Sequence, residues 1–151
     1  MPATIKFGWL MNQFEVKLIP DYRELANKKF YLAFDLTIDG VSPLQNSDDD
    51  FDIYEFIMST RKDGKYFLWT CSCGVPGCAG YFNGIEVRIE GDITYWIDHD
   101  SDKSYSFSTN NLRTKAWMLE DEIKKWNSHA KSIDTELNIG HRGRWNICSL
   151  H

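Results

Sequence analysis

No apolar run in this sequence approaches the ~20 residues that a membrane-crossing helix requires. The start, Met1-Pro2-Ala3-Thr4-Ile5-Lys6, lacks the basic-then-apolar order of a secretory leader. These two absences set the expectation of a cytoplasmic protein with no membrane partner. Familiar catalytic signatures are missing as well: there is no G-x-S-x-G, no phosphate-cradling loop, no H-E-x-x-H and no G-x-G-x-x-G. The expectation is therefore a protein that is not an enzyme. One nucleophilic arrangement stays open, Cys71 with His99, because such pairs form in space rather than in sequence. Repeats, low-complexity tracts and long linkers are absent too, so residues 1–151 read as a single domain.

What is present is a chain rich in aromatics, 15% of residues with six Trp, which suits strands and contact surfaces alike. Charge is unevenly spread. Between Asp35 and Asp102 there are 14 acidic and 4 basic residues, whereas the remainder has 8 acidic and 13 basic. Such a chain can offer an acidic face to a cationic partner. The residues expected to form it are Asp48, Asp49, Asp50, Asp98, Asp100 and Asp102. The rival reading is that hairpin tips collect Asp for turn chemistry and solubility.

Strand periodicity recurs along the chain. Ile5, Phe7 and Trp9 share a face, and Met11-Asn12-Gln13 turns into Phe14, Val16 and Leu18. A short helical stretch is expected over 22–27. Phe30 to Ile38 is the clearest strand, closed by Asp39-Gly40, and 41–52 reads as a loop. Residues 52–61 and 65–73 flank Asp63-Gly64, which predicts a hairpin. Strands follow at 84–90, 93–98 and 104–108. Leu112, Ala116, Leu119, Ile123 and Trp126 then recur at helical spacing after Asn110-Asn111, a pair able to cap. A short helix is expected near 132–137, ending at Gly140, and 145–148 could add an edge strand. The fold class is α+β: an antiparallel meander with one long amphipathic C-terminal helix packed on a face.

The most chemically distinctive segment runs from Trp69 through Cys71, Cys73 and Cys78. On a strand Cys71 and Cys73 point the same way, and Gly74-Val75-Pro76-Gly77 can return Cys78 to them. Three thiols converging from a knuckle resemble a zinc half-site, for which His99 is a candidate fourth ligand; His141, Cys148 and His151 are others. Two further readings stay open: small buried inert thiols, or a disulfide between Cys73 and Cys78. Four cysteines in a cytoplasmic chain favour thiols or metal over disulfides. The Cys-x-Cys-Gly start resembles the SEC-C and SWIM zinc modules. Cys78-Ala79-Gly80 supplies neither the adjacent Cys/Cys-His ending of the first nor the Cys-x-His ending of the second, so neither function is carried over.

Asp98-x-Asp100-x-Asp102 opens like a calcium loop, but Lys103 and Thr109 stand where an EF-hand needs Gly and Glu. It reads as a solvated hairpin tip. His141-Arg142-Gly143-Arg144-Trp145 could meet phosphate and stack a base, yet two arginines on an acidic chain do not make a nucleic-acid partner the expectation.

In overall character, small, acidic, β-rich and without catalytic motifs, the chain resembles bacterial immunity proteins of toxin–immunity pairs. That resemblance implies a protein partner with a basic surface, a toxin to be neutralised. The alternative functions are a small zinc-binding structural protein built on Cys71, Cys73 and Cys78, and an enzyme using a Cys or a carboxylate.

Overall fold

The computed structural model describes residues 11–45, 49–71 and 81–139. β1 (Phe14–Asp21) buries Phe14 and half-buries Val16 and Leu18 while Glu15 and Lys17 face out, as period two requires. A 3₁₀ turn at Leu25–Asn27 follows, and Lys28 leaves it with a left-handed φ of 58°. β2 (Lys29–Ile38) runs back antiparallel to β1, from Phe14 opposite Ile38 to Asp21 opposite Tyr31. The expected pairing of 5–9 and the edge strand at 145–148 lie outside the described residues.

The expected hairpin across Asp63-Gly64 is not formed. A two-residue β3 (Asp50–Phe51) leads into α1 (Ile53–Ser59), a helix where a strand was expected. Its cause is local. Asp52 caps it, its side chain accepting from the Glu55 backbone N–H at 2.9 Å. Ile53, Phe56 and Ile57 then fall on one helical face and are buried. The segment 65–73 is likewise divided, into β4 (Gly64–Tyr66) and β5 (Trp69–Thr70), which join different sheets. Asp63 serves another purpose, accepting the Ile89 N–H at 2.7 Å.

β6 (Ile85–Glu90), β7 (Ile93–Asp98) and β8 (Lys103–Ser108) form the expected meander, with β4 added along β6. α2 (Thr109–Ser132) follows without a break. Its cap is Ser108, whose hydroxyl accepts the Asn111 N–H at 3.2 Å, rather than Asn110-Asn111. Leu112, Ala116, Leu119 and Ile123 form its buried stripe, and Trp126 is half-buried.

The short helix expected near 132–137 is instead the end of α2 followed by β9 (Glu136–Ile139). Asp134 adopts φ 54°, and the Thr135 N–H and hydroxyl both return to the Ala130 carbonyl, at 2.9 and 2.8 Å. That stops the helix, and Leu137 and Ile139 enter the core from a strand. β9 pairs parallel to β2, Lys29 opposite Glu136 and Leu32 opposite Ile139. The architecture is α+β and mostly antiparallel, with this one parallel pair among the described strands.

The core lies where these elements meet. Trp96 of β7 is fully buried, its ring 4.6 Å from Phe107, 5.4 Å from Phe14 and 6.1 Å from Trp69. Phe14 also stacks on Phe56 of α1 at 5.0 Å. One aromatic cluster therefore ties β1, α1, β5, β7 and β8. Each such ring contributes roughly 1.5–3 kcal/mol by leaving water. No helix among the described residues is long and apolar enough to cross a membrane.

Candidate functional site

The acidic residues expected to form a face divide in two. Asp49, Asp50 and Asp98 are buried. Asp49 accepts the Tyr81 hydroxyl at 2.5 Å, and the Tyr81 oxygen accepts the Gln45 N–H at 2.7 Å. Burial, then the bond to Asp49, pushes the Tyr81 phenol far above its ordinary range. Asp50 accepts the Phe51 N–H at 3.0 Å. Asp98 accepts the N–H groups of Asp100 and Ser101, so it closes the β7–β8 turn. Asp100 holds Asn83 by its backbone N–H and its amide, at 3.0 and 2.8 Å. Asp100 is half-buried and Asp102 is exposed in that turn, so the loop is a hairpin tip as expected. Asp48 lies outside the described residues.

Of the proposed metal ligands, Cys71 is buried just beyond β5. His99 is exposed and places Nε2 2.9 Å from Glu86 Oε1. Glu86 also takes Arg88 at 2.6 Å, and these partners, His99 foremost, hold its carboxyl below the usual range. Cys73 and Cys78 lie outside the described residues, as do His141, Cys148 and His151. Among the described residues no three His, Cys, Asp or Glu side chains are grouped to hold a metal ion.

The structure draws attention to a different place. α1 ends at Thr60, whose hydroxyl returns to the Ile57 carbonyl at 2.8 Å. The Thr60 carbonyl accepts Arg113 Nε of α2 at 3.0 Å. That bond sets the first turns of α2 against the end of α1. Between them lies a groove of about 210 Å³, with Ile57 and Ala116 at its apolar base and Arg61, Arg113, Trp117 and Glu120 around it. Ala116 is the smallest member of the α2 stripe, and its short side chain fills little of this space. Trp117 is 67% exposed and Met118 56% exposed, although both are large and apolar. Arg61 approaches Glu120 at 3.8 Å, and Lys124 approaches the same carboxylate at 3.6 Å.

The sequence reading of α2 attended to its apolar stripe and passed over Trp117 and Met118. The available signal was their position: two bulky apolar residues directly after Ala116, off the 112–116–119–123 stripe. An isolated exposed apolar residue is ordinary. An exposed tryptophan beside a groove and an arginine, as Trp117 is, has the composition of a contact surface.

Comparison with family models, with curated proteins and with solved structures gives no match.

Proposed function

We propose that the chain is a non-enzymatic binding protein that acts through a protein partner, with toxin neutralisation, as in bacterial immunity proteins, the form this takes. The observation that carries the binding role is the exposed Trp117 beside the α1–α2 groove, on a helix anchored by its buried stripe. Trp and Arg are enriched where proteins meet, and a rigid aromatic gives contact area at small entropic cost. A net charge of −5 favours encounter with a basic protein at long range. Of the acidic residues first expected to meet such a partner, Asp102 and, in part, Asp100 remain available among those described.

The test is to co-produce the full chain with each protein encoded beside it in its genome. A stable complex on size exclusion, association that slows as salt rises, and relief of a growth defect caused by the partner are expected. If none of these proteins forms a complex and none is neutralised, the reading fails.

A further inference from the structure

Resting on that reading, we infer that the α1–α2 groove receives a partner segment carrying a carboxylate next to an apolar side chain. The geometry separates the two tasks. Ile57 and Ala116 offer an apolar base and Trp117 an exposed aromatic wall. Arg113 offers the charge. Among the described residues its side chain makes one hydrogen bond, from Nε to the Thr60 carbonyl. That bond fixes the guanidinium beside the groove and leaves its Nη donors for an incoming group. A guanidinium so held is pre-organised for a carboxylate, which it can meet with two parallel N–H bonds.

Charge complementarity decides the sign of the occupant. Among the described residues, Arg61 and Arg113 stand against a single carboxylate, Glu120, at this groove. Glu120 already has two cations, Arg61 at 3.8 Å and Lys124 at 3.6 Å. The unmatched group is therefore cationic, and a basic side chain entering here would meet it unfavourably. The overall acidity of the chain and the local basicity of the groove act at different ranges. Net charge governs encounter, whereas the groove selects what is seated.

The probe is a displayed library of random peptides panned on the full-length protein, followed by a synthetic peptide of the selected consensus. A consensus pairing Asp or Glu with a neighbouring Leu, Ile, Phe or Met is expected. The peptide's affinity should fall at least about tenfold in Trp117→Ala and in Arg113→Met, and should recover only in part in Arg113→Lys, which keeps the charge and loses the fork. Trp117→Ala is the decisive variant, because so exposed a side chain contributes little to folding; thermal melts of all three variants confirm that they are folded. A basic or uncharged consensus overturns the inference, as does a peptide indifferent to Trp117 and Arg113, or no enrichment at all. Should a neighbouring gene product bind with Trp117→Ala and Arg113→Lys unaffected, this inference falls while the binding role stands.

Discussion

Asn12 engages Ser106 with both its backbone and its side chain. The Asn12 N–H donates to the Ser106 carbonyl at 2.7 Å, and the Ser106 N–H donates to Asn12 Oδ1 at 2.8 Å. The Asn12 amide also donates to Asp39 Oδ2 at 2.6 Å. Asn12, two positions ahead of β1, thus satisfies part of β8, the last strand in its sheet, and fastens it to the turn that follows β2. Replacing Asn12 by Ala deletes two of these bonds and leaves a half-buried N–H of Ser106 without its side-chain acceptor. The expected loss is about 1–2 kcal/mol, seen as a lower urea midpoint at unchanged slope. A midpoint equal to wild type would show that the link carries no stability.

Gly84 and Gly91 both adopt positive φ, 68° and 60°, yet they should respond differently to a methyl group. A Cβ at Gly91 meets nothing within 4 Å, so Gly91→Ala bears the left-handed backbone penalty alone, roughly 1–2 kcal/mol. A Cβ at Gly84 would stand 3.1 Å from the Tyr66 carbonyl oxygen, a backbone atom of the neighbouring strand β4. Gly84→Ala should therefore cost clearly more, by about 1 kcal/mol or above. Paired denaturation curves check this, and equal losses would contradict the close approach.

Alkaline pH should weaken the fold. Burial raises the phenols of Tyr81, Tyr66 and Tyr105, Tyr81 most of all. The folded protein keeps these protons when the unfolded chain releases its own near pH ~10. Stability is thus fully present below that pH and declines above it, by at most about 1.4 kcal/mol per pH unit for one tyrosine. Melts between neutral and strongly alkaline pH should show the decline, and Tyr81→Phe should make it shallower. An unchanged slope in that variant would contradict the role given to Tyr81.

The parts of the fold that could be read from sequence are those where local pattern and final environment agree. Ile85, Val87 and Ile89 alternate with polar residues, and Gly91-Asp92 turns them into β7. The Leu112–Ile123 stripe is buried at the spacing that announced it. At 53–59 two local signals competed. Asp63-Gly64 suggested a hairpin, whereas Asp52, Glu55 and the 53–56–57 spacing marked a capped helix, and the cap prevailed. β9 was hidden for another reason. Leu137 and Ile139 alternate over too few residues to identify a strand, and their partner is remote. The groove escaped notice because exposure is a tertiary property: nothing in the order of residues says that Trp117 stays uncovered while Trp96, of the same chemistry, is sealed.

The parallel pairing of β2 with β9 also has a temporal side. Lys28 and Asp134, joined at 3.0 Å just before these strands, are 106 residues apart. At roughly 5–20 residues per second on the ribosome, β2 emerges several seconds or more before its second neighbour exists. During that interval the hydrogen-bonding edge that will receive Leu137 and Ile139 is bare, while β1 already covers the other side. Until α2 brings β9 into place, that edge of the nascent chain is open to pairing with a foreign strand.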